Sequence, residues 1–428
     1  MPRRFVIQAF ACAALLAGAG AARAQAADSG LVAALRERRL FARAGACGLE
    51  EDGGRLLAGH ARAAQFTAIA EAHGVDAVPR FSAALFCELA RSGYRHLAIE
   101  VSPPVGRELN RLAAGADPMA ALRAFARERF PGAPFYVLRE EAQFLAGAVA
   151  AAGGGSDVLW GIDYDVLPET HTLPRLRQVV PEGPARAAVA RAQAVADSMF
   201  TAALASRNPA TVFGFAAPDT VVASLRRTLG PRPGSEADLL LEVVERTLAI
   251  NAHQVAGRYY QANEARAENL RGNFLRAYRS TGGAPRVMVK LGANHLMRGR
   301  NWTGTFDVGS LLPELAALNG GSAYSIVVIG GPGSLEAGFD PATFSYAPSP
   351  NSYAGAPWAG PYLAAADSAR WTVFDLRSLR VDAYGGKFGR LSPAALQVIA
   401  GFDAVVVLGG SAPSHPLAEP RPPRTQAP

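Results

Sequence analysis

Seven short runs of apolar, partly β-branched residues punctuate the chain, at 66–70, 96–101, 157–163, 286–291, 323–329, 371–375 and 403–408. Each is short and nearly continuous in hydrophobicity, as strands buried on both sheet faces must be. Between most of them the period lengthens. Within 78–92, Phe81, Leu85, Leu89 and Ala90 recur three and four apart, which predicts a helix, and 118–129 and 139–152 repeat the pattern. Strands alternating with helices predict an α/β fold with a mainly parallel sheet flanked by helices, because parallel neighbours need crossover connections.

The middle of the chain breaks this alternation. From Pro181 to Tyr278 no strand-like run occurs, and Ala, Arg, Leu and Glu dominate. Residues 185–205, 219–227, 235–256 and 258–279 predict successive helices, with Pro231 and Pro233 separating two of them and Ser235 placed to cap the next. The stretch reads as a helical insertion or cap, dividing an α/β domain into 26–180 and 281–415 around 181–280. Residues 331–360, rich in Gly, Pro, Ser and Tyr, predict a long surface loop. Residues 416–428, with Pro416, Pro420, Pro422 and Pro423, predict a disordered tail.

The first residues change the picture of location. Arg3 and Arg4 precede an uncharged apolar run over 5–22, and Ala21-Ala22-Arg23-Ala24 offers the small residues a signal peptidase needs. Residues 1–25 therefore read as a signal peptide, and the mature chain as periplasmic or secreted with no stable membrane insertion. A retained anchor is the alternative; the run is short for one and is broken by Gly18 and Gly20. Removing Arg3, Arg4 and Arg23 and no acid takes the formal charge from +7 to +4. Basic residues are interspersed with acids, so no nucleic-acid surface is expected. Beyond the signal only Cys47 and Cys87 remain. They either pair in an oxidising compartment or stay as two buried thiols.

Candidate chemistry gathers at strand ends. Phe66-Thr-Ala-Ile-Ala70 runs into Glu71-Ala-His73-Gly74; His96-Leu-Ala-Ile ends at Glu100; Val158-Leu-Trp-Gly-Ile ends at Asp163, followed by Tyr164; Val287-Met-Val-Lys-Leu291 runs into Gly292-Ala-Asn294-His295. Parallel sheets bind ligands outside the carboxyl ends of their strands. Folding therefore brings Glu71, His73, Glu100, Asp163 and His295 towards one crevice. Taken singly, each has a plainer role: Glu71 or Asp163 as a helix cap, His73 as a turn residue, Glu100 in a salt bridge, His295 in the core. Phe213, Phe215, Tyr259 and Tyr260 of the helical segment either line the ligand side or pack in its core.

A histidine near its ordinary pKa of ~6.5 takes a proton from water at neutral pH, and a neighbouring carboxylate orients it. The chain has no GxSxG elbow and no HExxH, and Gly330-Gly-Pro-Gly-Ser334 lacks the lysine and spacing of a phosphate loop. Water is thus the expected nucleophile, attacking a small-molecule substrate.

These segments resemble the erythromycin esterase-like proteins. Ile69-Ala-Glu71-Ala-His73-Gly74, Leu97-Ala-Ile-Glu100, Trp160-Gly-Ile-Asp163 and Val289-Lys-Leu-Gly-Ala-Asn294-His295 look like that family's successive motifs, and Arg266-Ala-Glu268-Asn269-Leu270 is similar to its helix segment upstream. The resemblance covers roughly residues 60–300. It implies an α/β fold with a helical cap, and a hydrolase of carboxylic esters or lactones using histidine-activated water, with no metal or other cofactor expected. It makes His73 the base and Glu71 its partner, with Glu100 and His295 completing the cluster. Arg266, Asp163, Asn294 and Tyr164 fall to the substrate side. One departure stands out: only Ala72 separates Glu71 from His73, where the esterase pattern has two residues. Glu-x-His is closer to the wider superfamily of haem-binding uptake proteins and Tiki-type metal-dependent peptidases. Two alternatives follow. One is a peptidase or other hydrolase holding Zn²⁺ or Mn²⁺. The other is a periplasmic haem-binding protein using Tyr164 or Tyr94.

Overall fold

A computed structural model of the protein describes residues 28–130, 132–231 and 234–418. The signal-like segment and residues 419–428 lie outside them. The seven expected strands form, as β3 (Phe66–Glu71), β4 (Tyr94–Ile99), β5 (Leu159–Gly161), β6 (Arg286–Gly292), β7 (Ala323–Gly330), β10 (Trp371–Asp375) and β11 (Ala404–Leu408). Two short strands precede them, β1 (Leu40–Gly45) and β2 (Gly48–Glu50), and join the same nine-stranded sheet in the order β2-β1-β10-β11-β7-β3-β6-β4-β5. From β11 to β5 all neighbours are parallel; β10, β1 and β2 are antiparallel additions at one edge. The central strands β3, β6, β7 and β11 are buried almost throughout, which explains their unbroken apolar sequence. β1 is largely half exposed and carries Arg43, so it gave no such signal.

Alternate residues of β3 meet different layers, as strand geometry requires. Phe66 packs edge-on against Phe274 of the Tyr259–Ser280 helix, with centroids 5.9 Å apart. Thr67, on the other face, reaches the Ala61 carbonyl in the Glu51–Ala63 helix. The Ala77–Ala90 and Arg139–Ala151 helices pack against each other. Among the described residues no helix is long and apolar enough to cross a membrane.

The helices expected between 181 and 280 form as Pro184–Ser206, Asp219–Leu229, Glu236–Val255 and Tyr259–Ser280. Ser235 caps the third by accepting from the Asp238 N–H. These helices build a core of their own, in which Val189, Leu225, Leu240, Val244 and Phe213 are buried. Phe213 is thus interior packing rather than a ligand contact. Phe215 packs half-buried, while Tyr259 and Tyr260 are exposed on the first turn of their helix.

Two loop expectations are corrected. Residues 335–350 form an antiparallel hairpin, β8 (Leu335–Asp340) and β9 (Ser345–Pro350), instead of a structureless loop. Its Phe344 packs 5.1 Å from Phe200, joining the hairpin to the Pro184–Ser206 helix. Composition concealed it because Gly, Pro and Ser are depleted in most strands, yet this isolated ribbon tolerates them. The first residues of the expected tail are also corrected. Pro416 bridges Leu138, and the Leu417 N–H donates to the Val137 carbonyl, so residues 416–418 belong to the folded body.

Cys47 and Cys87 form a disulfide across 40 residues, tying the β1–β2 turn to the Ala77–Ala90 helix. Replacing both by Ser is expected to lower unfolding free energy by about 2–4 kcal/mol, through release of chain entropy in the unfolded state. Urea titration of the two proteins measures it, and equal midpoints would refute it.

Where β5 leads into the helical segment, Glu169 is buried, and among the described residues neither carboxylate oxygen is hydrogen-bonded to another residue. Burial pushes its pKa up to about 8 from the ordinary 4.5. The unfolded group ionises first, so the folded state loses stability as pH rises through that window. Glu169→Gln is therefore expected to stabilise the protein by a few kcal/mol above about pH 8 and to leave it unchanged near pH 4. Melting curves across pH check this; a gain that is uniform with pH would contradict it.

Candidate active site

The carboxyl ends of β3, β6, β4 and β5 stand side by side, and chain order differs from spatial order here. β6 lies between β3 and β4, with Glu71 opposite Gly292 and both Ile69 and Ile99 opposite Lys290. The sequence-expected residues therefore meet around β6. Glu100 is their centre. Its Oε2 accepts from the Gly292 N–H at 2.6 Å and lies 3.6 Å from His73 Nε2. Its Oε1 accepts from Arg266 at 2.7 Å and lies 3.8 Å from His295 Nε2. Gly292 must lack a side chain: a Cβ there would stand 2.9 Å from His73 Nε2 and 3.3 Å from Glu100 Oε2.

His73 Nδ1 faces Glu71 Oε1 at 3.2 Å, a close contact outside hydrogen-bond alignment. The ring stacks on Phe135, with centroids 3.6 Å apart and planes 6° from parallel. Phe135 has φ 68°, a conformation rare for an aromatic residue, and its N–H donates to the Tyr346 hydroxyl of the hairpin. Gly74, at φ 74°, lets the chain turn after His73; its carbonyl accepts from both Ala337 and Ser414. The hairpin and the C-terminal segment thus brace the histidine loop from outside. His295 Nδ1 is 2.6 Å from Asp307 Oδ2, which fixes that ring.

Arg266 joins Glu100 to Asp163, donating to Oδ2 at 2.5 Å and Oδ1 at 3.2 Å, and lies over the Tyr164 ring at 5.2 Å. Asn294 takes part differently: its carbonyl holds the Asn301 side chain, and among the described residues its own amide enters no hydrogen bond. The plainer roles are met alongside: Glu100 salt-bridges Arg266, His295 is buried and held by Asp307, His73 stands before the turn at Gly74, and Asp163 also accepts from the Tyr164 N–H. Tyr94 is remote from this cluster in function. It is fully buried, with its hydroxyl against the Ala61 and Ala64 carbonyls, so the haem-ligand alternative loses that residue.

The charges are strongly coupled. Burial alone would raise Glu100, but His73, His295, Arg266 and the Gly292 N–H hold its pKa at about 2. Burial disfavours a charged His73; Glu100 and Glu71 outweigh it, and its pKa lies above the ordinary value. Burial and Arg266 press His295 towards the neutral form, yet Asp307 and Glu100 leave it raised as well. Burial pushes Tyr164 up to about 12. A small cavity of about 20 Å³, lined by Glu100, Phe135, Asp163, Tyr164 and Arg266 among others, adjoins the cluster. That is room for about one water molecule.

Four further residues belong to the cluster. Asp307 and Phe135 gave no sequence signal beyond a possible cap and a loop aromatic. Lys290 did: after Arg286 at its start, it is the one charge in the β6 run, and it is fully buried. Its Nζ lies 2.6 Å from Glu71 Oε2 and donates to Glu141 at 2.8 and 3.0 Å. Glu141 shares the buried phase of Leu145 and Ala148 on its helix, a readable but ambiguous cue beside Glu140. Among the described residues no group of three His, Cys, Asp or Glu side chains is spaced to hold a metal ion.

A wider cleft of about 740 Å³ lies elsewhere, lined by the 103–113 and 236–255 helices. Its Glu108, Glu236 and Glu242 are each matched by an arginine, at 2.7, 2.8 and 3.1 Å, and no strand end reaches it.

No family model and no curated protein matches the chain by sequence. Solved structures do match it by shape. A Bacillus cereus protein superposes over 90% of this chain and 98% of its own, with TM-score 0.56 and 13% identity. A succinoglycan biosynthesis protein covers 91% and 99%, with TM-score 0.53 and 12% identity. A mutant of erythromycin esterase EreC in its open conformation covers 85% and 95%, with TM-score 0.55 and 14% identity. At such identities what is shared is shape: this chain has the α/β fold of erythromycin esterase EreC.

Proposed function

We propose that the protein is an exported hydrolase that opens a carboxylic ester or lactone of a small molecule with water activated by His73. The observation that carries this reading is the meeting of two histidines on the two oxygens of one carboxylate, Glu100. His73 takes a proton from water as the water oxygen bonds to the carbonyl carbon, and the carbonyl electron pair moves onto its oxygen. Arg266, held at the cavity wall, supplies positive field to that oxygen. On collapse the C–O bond breaks, and the leaving alkoxide takes the proton of His295. Acid and alcohol depart, and His73 returns its proton to His295 through solvent. The raised pKa of His295 supports its donating role, while that of His73 confines its accepting role to pH above its own raised value. The fold shared with a protein named as an erythromycin esterase supports the reaction class. The disulfide supports an oxidising compartment and so export.

No cofactor is required in this scheme. The test is a pH-stat assay of the chelator-treated protein on a panel of simple esters and lactones, with haemin titration alongside. Acid release undiminished by chelation, with no Soret change, is the expected result. Activity that disappears with a stoichiometric metal would move the protein to the metal-dependent hydrolases, and a haemin complex would remove it from enzymes of this kind.

A further inference from the structure

Both ring nitrogens of His73 face a carboxylate: Nδ1 faces Glu71 at 3.2 Å and Nε2 faces Glu100 at 3.6 Å. A neutral imidazole carries one proton, and the nitrogen holding it cannot act as base. The site is therefore productive only when the proton sits on Nδ1, leaving the Nε2 lone pair towards Glu100. Two buried carboxylates compete for that proton, and nothing within His73 decides between them.

Glu100 is ionised under all ordinary conditions because Arg266, the Gly292 N–H and both histidines surround it. Glu71 has no such cage. It is 1% exposed, and one of its oxygens meets no aligned hydrogen bond. Among the described residues its one full positive neighbour besides His73 is Lys290, at 2.6 Å. Lys290 in turn is held by Glu141 and by the faces of Tyr136 and Phe144, each 5.6 Å from Nζ.

We propose that buried Lys290, held in place by Glu141, is a positioning device that keeps Glu71 ionised and thereby locks the ring proton of His73 on Nδ1. Lys290 acts on the chemistry only through Glu71. Without it, Glu71 takes up a proton and presents O–H to Nδ1, Glu100 wins the ring proton, and Nε2 becomes N–H. The inference rests on the hydrolase reading for its purpose, although not for its physics. The other groups facing His73 are Glu336 on β8, His295 and Arg266 through Glu100, and the Phe135 ring. Their charges are unaltered in the test below. Glu71 lies below its usual pKa because Lys290, first, and then His73 overcome the effect of burial. Burial, with Glu71 beside it, pushes Glu141 up to about 7, so it counterbalances Lys290 only partly near neutrality and leaves the lysine charge available to Glu71.

The experiment is ¹⁵N NMR of the histidine rings across pH, with His73 assigned by its loss in His73→Asn. In the intact protein the neutral ring is expected as the Nδ1–H tautomer; finding Nε2–H there overturns the proposal without any variant at Lys290. In Lys290→Met the neutral ring is expected to switch to Nε2–H. The His73–Glu71 pair, having lost a positive neighbour, should hold its shared proton to higher pH, moving the acid limb of kcat/KM upwards. In Glu141→Gln the Nδ1–H tautomer should persist, and the limb should stay or move down. A Lys290→Met protein that folds and keeps Nδ1–H refutes the device. An intact protein with the expected tautomer but no turnover of any ester refutes the hydrolase reading and leaves the tautomer lock standing.

Discussion

Replacing His73 by Asn is expected to lower kcat/KM for ester hydrolysis by about 10²–10⁴-fold, the range general base catalysis supplies. The loss should fall mainly on kcat, because His73 serves the transition state and Arg266 and Asp163 stay in place to line the cavity. The protein should remain folded. The His73 side chain is 25% exposed, and its removal leaves Glu71 paired with Lys290 and Glu100 paired with Arg266. No buried charge is abandoned, so the usual cause of collapse at such sites is absent. Thermal melts with steady-state kinetics on the same preparation check both halves. A variant retaining most of the parental rate on a verified substrate would end the catalytic account.

The largest effect on stability is expected at Lys290. Lys290→Met should cost about 3–5 kcal/mol, the range seen when one partner of a buried ion pair is removed. Met matches the stem of the lysine, so packing against Tyr136 and Phe144 survives; what changes is charge. Glu71 and Glu141 would then both be buried without their shared cation, and both are driven towards protonation. Adding Glu141→Gln should recover part of the loss, since a neutral amide replaces a stranded acid and the two effects couple. By contrast, the exposed Arg55–Asp52 pair, at 69% and 77% side-chain exposure, should contribute little when broken. Urea unfolding of the single and double variants measures the difference. A Lys290→Met protein within about 1 kcal/mol of the parent would show that water, not the lysine, compensates these carboxylates.

Much of this was legible in one dimension. Helices and central strands declare themselves by period, since each residue's burial depends on which face its own backbone turns inward. The Pro118–Arg129 helix and strand β10 have the bounds their periodicity predicts. Ionisable residues at strand ends were equally visible, and so was Lys290, an isolated charge in an apolar run. The hairpin over 335–350 was hidden because its Gly, Pro and Ser fit a ribbon pinned from outside, by Ala337 on Gly74 and Phe344 on Phe200. β1 was hidden for a similar reason: its pairing partner β10 lies more than 300 residues away in sequence, and β2 pairs with β1.

What the chain determines by itself is therefore which segments become strands and helices, and which titratable groups stand at their ends, for these depend on neighbours a few positions apart. Tertiary structure alone decided that β6 slips between β3 and β4, so that Gly292 makes room for His73 beside Glu100 and Lys290 falls beneath Glu71. It also chose Glu141 over Glu140 and laid Phe135 against the ring. The physical reason is that strand order and side-chain convergence are set by pairings between distant segments, whose energies no local pattern of hydrophobic and polar residues encodes.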